Sequence, residues 1–132
     1  MIAVNMIDVN EIGLSNVRNF NGFVEKIYQS NKTINADEKY KILHCANGYE
    51  AKKLGKKVKI REDWNKIKIT VMETALRQLI VTYPEAKKRL LSTGNKIITH
   101  NNYWGDNFWG NKGNMLGKLL MKIREEINNG SF

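Results

Sequence analysis

Arg61-Glu62-Asp63-Trp64-Asn65-Lys66-Ile67-Lys68-Ile69-Thr70-Val71-Met72-Glu73-Thr74-Ala75-Leu76-Arg77-Gln78-Leu79-Ile80-Val81-Thr82 is the stretch on which the fold turns. Trp64, Ile67, Val71, Met72, Ala75, Leu76, Leu79 and Ile80 return every three or four residues, the period of an α-helix with one apolar face. The spacing predicts a core helix from near Arg61 or Glu62 to about Thr82. Immediately downstream, Pro84 suits the first turn of a short helix carrying Ala86, Leu90 and Leu91, with Gly94 placed to cap its carboxyl end. Ile97-Ile98 reads as a brief strand. Asn114 is placed to cap a last helix whose inner face is Leu116, Leu119, Leu120, Ile123 and Ile127, and the tail from Asn128 to Phe132 is expected to fray.

Upstream of the core helix, Phe20, Phe23, Val24, Ile27 and Tyr28 have helical spacing, which predicts a helix from Gly22 to roughly Asn31. A second helix follows, opened by Asn35 with Glu38 three residues later in the manner of a capping box, and ending before Gly48. The apolar segment Ile2 to Ile12, broken at Asp8 and Asn10, predicts one or two strands leading into Gly13. The expected fold class is α+β, predominantly helical with a small sheet, in a single compact domain over residues 1–132.

The chain of 132 residues, 42% hydrophobic and 27% charged with one proline, has the composition of a folded protein that buries its own core. Cys45 is the one cysteine, so no intrachain disulfide is available. With only His44 and His100 beside it, no zinc-type cluster can be assembled from Cys and His alone, and no metal is expected. Cys45 and His44 are adjacent on a predicted helix and point apart, which argues against a nucleophilic pair. No stretch approaches the length of an apolar membrane span, and the amino terminus lacks the pattern of a signal peptide; a cytoplasmic protein is the expectation. The formal charge of +9 favours polyanionic partners. Much of it sits in Lys52, Lys53, Lys56, Lys57, Lys59 and Arg61, with a second group at Lys87, Lys88 and Arg89.

Two places stand out chemically. On the helix from Gly22, Glu25, Gln29 and Lys32 fall within a narrow arc at the border of the apolar face, which holds a carboxylate near an ammonium; an exposed helical ion pair is the plain alternative. The loop from Asn101 to Gly113 concentrates Tyr103, Trp104, Phe108, Trp109 and Asp106 among glycines, where no periodicity accounts for them. Tryptophan faces can stack a base or cover a ribose, and Asp106 can bind hydroxyls. The plain alternative here is a loop pinned to the core by its aromatics. Asn114, opening a helix, adds a donor-rich terminus suited to phosphate. Neither type of Gly-rich nucleotide-binding signature is present, and no cofactor is implied.

Taken in order, these segments resemble the NADAR (YbiA-like) family of N-glycosidases over nearly the whole chain. Leu14-Ser15-Asn16 resembles its amino-terminal motif, and Val24-Glu25-Lys26-Ile27-Tyr28-Gln29-Ser30-Asn31-Lys32-Thr33 resembles its Val-Glu-His-x-Tyr-Gln-Ala-x-Lys helix. Glu50-Ala51-Lys52-Lys53-Leu54-Gly55, Arg61-Glu62-Asp63-Trp64, Val71-Met72 with Ala75-Leu76, and Leu90-Leu91-Ser92-Thr93-Gly94 follow in register. Trp104-Gly105-Asp106-Asn107-Phe108-Trp109-Gly110 and Asn114-Met115-Leu116-Gly117-Lys118-Leu119-Leu120-Met121-Lys122-Ile123-Arg124 complete the series.

The resemblance implies cleavage of an N-glycosidic bond at the anomeric carbon of a phosphorylated or ADP-linked ribose. Such cleavage passes through an oxocarbenium-like sugar and needs a carboxylate, a proton donor for the departing nitrogen, and cationic contacts for phosphate. On this reading Glu25 is the carboxylate and Asp106 the second acid, while Lys32 contacts phosphate or attacks the opened sugar as an amine. Trp104 and Trp109 form aromatic walls, Asn16 and Asn114 are polar anchors, and Tyr28, Gln29 and Lys52 complete the substrate contacts. The chain departs from the family pattern in having only eight residues between Asn16 and Glu25, and in Lys26, Met115, Thr99 and His100, where the pattern has other residues. The charge changes favour a more anionic substrate. The first expectation is removal of ADP-ribose from guanine in DNA; the alternatives are cleavage of free ribosylamino-pyrimidine intermediates of riboflavin synthesis, and an inactive module that binds ADP-ribose or nucleic acid. The expected partner is an ADP-ribose-type nucleotide or ADP-ribosylated nucleic acid; the sequence leaves the oligomeric state open.

Overall fold

The structure, a computed structural model, describes residues 5–101 and 107–132. Its contacts fall into two compact units, one made of the chain up to Leu14 and from Tyr83 onward, the other of Ser15–Thr82.

In the Ser15–Thr82 unit, a short 3₁₀ turn, Phe20–Gly22, leads into α1, Phe23–Ser30, followed by α2, Ala36–Leu43, α3, Gly48–Gly55, and α4, Trp64–Thr82. α1 is the hub, packing on α2, α3 and α4. The long helix is where its period places it. Trp64, Met72, Ala75, Leu76, Leu79 and Ile80 are buried, and Ile67 and Val71 are half-buried. Asn35 caps α2 as expected, its side chain accepting from the Glu38 amide at 2.9 Å, while the Thr33 hydroxyl donates to the Glu38 carboxylate.

α3 is an element that hydrophobic period does not reveal. Its inner face is Gly48, Ala51 and Gly55, all buried and nearly without side chain, so no apolar stripe marks it. What forms it is local: the Asn47 side chain accepts from the Glu50 amide at 2.9 Å, Glu50 occupies the first turn, and Lys52 and Lys53 the last. Each charge suits the end of the helix dipole it occupies. Small residues also let α3 come close, since a Cβ on Gly48 would overlap the Val17 backbone and one on Gly22, held at φ +70°, would overlap Gly48.

In the other unit, β1, Met6–Asp8, pairs in parallel with β2, Ile97–Thr99, in the register Met6 to Ile97, Ile7 to Ile98 and Asp8 to Thr99. The strand expected to reach Ile12 stops at Asp8 because its carboxylate turns back, accepting from the Asn10 amide at 2.9 Å and from the Asn101 amide at 2.8 Å. α5, Pro84–Leu91, starts on its proline as expected. Ser92 is its C-cap, and Gly94, left-handed at φ +59°, closes the turn two residues later instead of capping the helix directly. α6, Met115–Asn128, buries Leu116, Leu119, Leu120 and Ile123 and packs on β2. No helix among the described residues is long and apolar enough to cross a membrane.

Candidate active site

The Ser15–Thr82 unit buries a carboxylate. Glu25 is 7% exposed and Gln29, one turn further along α1, is 4% exposed. The Gln29 Nε2 donates to Glu25 Oε2 at 2.6 Å, and the Glu25 backbone amide donates to the Asn16 carbonyl at 3.4 Å. This overturns the exposed ion pair as an account of the motif. An ionised carboxylate taken out of water is costly unless hydrogen bonds and a nearby cation offset the loss. Its presence under the first turn of a helix is an expense that folding does not require, and such groups concentrate at functional sites.

The cation is Lys32, which lies past the carboxyl end of α1 and not on it. Its carbonyl accepts from the Arg61 amide at 2.8 Å, and its ammonium stands 5.8 Å from the centre of the Tyr28 ring. Tyr28 in turn meets Trp64 edge to face at 5.0 Å. Burial lowers the pKa of Lys32 below that of an ordinary lysine; Glu25 opposes the shift, and Lys52 and Lys56 add to it. An amine of this kind reaches its neutral, nucleophilic form at lower pH than a surface lysine does.

Asn16 enters from the loop before α1. Its Nδ2 donates only to the Met72 sulfur, at 3.5 Å, a weak acceptor, and its Oδ1 is buried without a hydrogen-bond partner among the described residues. Both ends of this amide are therefore poorly satisfied by protein. Further cations act on this region. Lys39, whose ammonium donates to the Ser30 carbonyl at 3.2 Å, has its pKa lowered by burial and then by Arg61. Lys52 and Lys56 lie near enough to lower the pKa of Lys32. Lys39 carries no sequence signal and Lys56 only that of the lysine-rich run; the packing of α2 and α3 on α1 reveals their place.

Glu25, Tyr28, Gln29, Lys32, Lys52 and Asn16 thus belong to one unit, in which Lys32 feels both Glu25 and Lys52. Trp109 and Asn114 lie in the other. Trp109 is half-buried and packs edge to face on Phe108 at 4.8 Å. Asn114 does not cap α6: it is left-handed, makes no capping hydrogen bond, and its Nδ2 donates to the Ile98 carbonyl at 2.9 Å. The amide ties the start of the helix to β2. Trp104 and Asp106 lie outside the described residues. Among the described residues no group of His, Cys, Asp and Glu is arranged to hold a metal ion.

Comparison with known proteins bears on this geometry. Residues 8–128 match the NADAR domain. An N-glycosidase of Nostoc punctiforme is 34% identical over 116 residues, which cover 80% of this chain and 74% of that protein. The N-glycosidase YbiA of Escherichia coli is 33% identical over 111 residues, 78% of this chain and 68% of the relative. A chloroplastic riboflavin biosynthesis protein of Arabidopsis thaliana is 41% identical over 71 residues, of which this chain spans only 12% of the plant protein. Among solved structures, the NMR structure of the Escherichia coli protein YbiA shares the fold, with a TM-score of 0.77 over 96% of this chain and 87% of that one, at 22% identity.

Proposed function

Because the chain belongs to the NADAR domain family and is a hydrolase of N-glycosyl bonds, we propose that it removes ADP-ribose from guanine bases in DNA. The observation that carries this reading is Glu25, a buried carboxylate whose charge is felt by Lys32 together with those of Lys52 and Lys56. In the reaction the bond between the ribose anomeric carbon and the base nitrogen breaks and its electron pair leaves with the nitrogen; water adds its hydroxyl to the carbon, and the proton it releases balances the one the nitrogen takes up. Glu25 stabilises the cationic sugar and guides water to it. Lys32 either neutralises phosphate as an ammonium or, as the neutral amine that its lowered pKa makes easier to reach, attacks the anomeric carbon of the opened sugar, expels the base nitrogen as the carbon–nitrogen bond breaks, and is later released by water.

A polymer carrying the ADP-ribose is favoured by α3. Tyr49, Lys52, Lys53 and Lys56 fall within an arc of about 100° on that helix. Tyr49 is 54% exposed. An exposed ring among lysines suits a strand whose bases stack and whose phosphates seek cations. A free nucleotide has no need of so extended a surface. The second reading, cleavage of ribosylamino-pyrimidine phosphates, draws on the name of the plant relative, matched over part of its length.

The test is to incubate the protein with ADP-ribosylated DNA and, separately, with free ribosylamino-pyrimidine phosphates, and to follow release of ADP-ribose or of base. Release from the DNA adduct is the expected result. Release from the pyrimidines alone would replace the first reading by the second, and tight ADP-ribose binding with no turnover of either would make the protein a binding module.

A further inference from the structure

Gly55 closes α3, and its presence there asks for a reason. Its backbone is not in the left-handed region that favours glycine, and in a helix alanine is the more stable choice by up to about 1 kcal/mol. Nor does the position face solvent, for Gly55 is buried. The reason is on α1. A Cβ built at Gly55 would overlap the Gln29 side chain, and its three nearest neighbours are Oε1, Cδ and Cβ of that one residue.

Gln29 is itself held in an unusual way. Its Nε2 donates to Glu25 at 2.6 Å, while its Oε1, buried against Gly55, has no hydrogen-bond partner among the described residues. A carboxylate only accepts hydrogen bonds, so the amide must turn its nitrogen toward Glu25 and its oxygen away. The oxygen then needs somewhere to go, and the missing Cβ of Gly55 is that space. Leaving a buried acceptor unpaired is costly, and the arrangement persists because it orients the carboxylate.

We propose that Gly55 is a positioning residue for Glu25, acting through Gln29. Glycine at this place leaves the amide of Gln29 room to hold the Glu25 carboxylate in one orientation. The proposal rests on the reading of Glu25 as the carboxylate of the site. Gly55→Ala forces the amide aside and frees Glu25 to turn. A displacement of about 1 Å at a reacting group costs about a hundredfold in kcat, with the affinity for ADP-ribose changed far less, because the two ends of the Gln29 amide face protein, one Glu25 and the other Gly55.

The test is a double-mutant cycle of Gly55→Ala, Gln29→Ala and the pair, with kcat measured on the substrate the wild type cleaves, ADP-ribose affinity measured by calorimetry, and thermal unfolding followed in parallel. If Gly55 acts through Gln29, the two losses in kcat overlap and the double variant is no worse than Gln29→Ala alone. Its unfolding temperature equals or exceeds that of Gly55→Ala, since truncating Gln29 makes room for the methyl group. Losses that multiply, or a double variant that fails to fold while Gln29→Ala folds, would overturn the proposal. So would a fall in ADP-ribose affinity matching the fall in kcat. A wild type that cleaves neither substrate would instead remove the reading of Glu25 on which the proposal stands.

Discussion

Glu25 and Lys32 show how far a residue can be read before its surroundings are known. Helical spacing puts both on one side of α1, and the family resemblance singles both out, but spacing cannot tell a solvated ion pair from a buried one. The difference arises from packing that spacing does not show: Gly55 abuts Gln29, the partner of Glu25, and Trp64 meets the Tyr28 ring that lies by Lys32. The structure also moves Lys32 off the helix and into the turn, where Arg61 fixes its carbonyl. A pH prediction follows from its lowered pKa, whose first cause is burial. The unfolded chain holds this proton up to about the ordinary lysine value of 10.5 while the folded protein releases it earlier, so the unfolded state binds more protons between the two values. Stability attributable to Lys32 therefore rises with pH across that window. A Lys32→Met variant lacks this titration, so the gap in unfolding temperature, variant minus wild type, should fall as the pH rises toward 10.5. Parallel unfolding curves at several pH values check this; a gap that widens with pH contradicts the burial account.

At the scale of elements, legibility followed the source of each element's stability. α4 was readable because a large apolar face drives its packing, and that face survives in the fold with Trp64 and Leu79 buried. Leu76→Ala on this face, where Leu76 is 1% exposed, should cost about 2–5 kcal/mol by urea unfolding, from lost burial and the cavity left behind. α3 was not readable as a helix because its inner face is glycine and alanine. Its start is set by a cap instead, and Asn47→Ala should cost about 1 kcal/mol. Asn35→Ala at the start of α2 should cost about as much, and a loss near zero at either position would mean that the cap is dispensable. Asn114 shows the converse: a residue of the right type in the right place for a cap, spent on the Ile98 carbonyl because its backbone is left-handed. The side-chain type licenses a cap, but the backbone at the junction decides it.

The whole molecule carries a formal charge of +9, which by itself does not separate a binding surface from a solvated one. The fold does separate the two lysine groups, because Lys52 and Lys56 act on Lys32 beside Glu25. Lys87 and Lys88 belong to α5 in the other unit. Binding of an unmodified single-stranded oligonucleotide should therefore lose about 1.4 from its salt-dependence slope when Lys53 and Lys56 are changed together to alanine, at about 0.7 per phosphate contact on a single strand. Lys87→Ala with Lys88→Ala should change it far less, and equal losses would mean that net charge alone attracts the strand. The reaction itself is tested most directly by comparing the wild type with Glu25→Gln on ADP-ribosylated DNA, scoring released ADP-ribose and, separately, ADP-ribose binding. Turnover should fall by about two to four orders of magnitude, the worth of a positioned acid or base, while ADP-ribose binding persists. Turnover by Glu25→Gln at the wild-type rate would contradict the placement of the chemistry at this carboxylate.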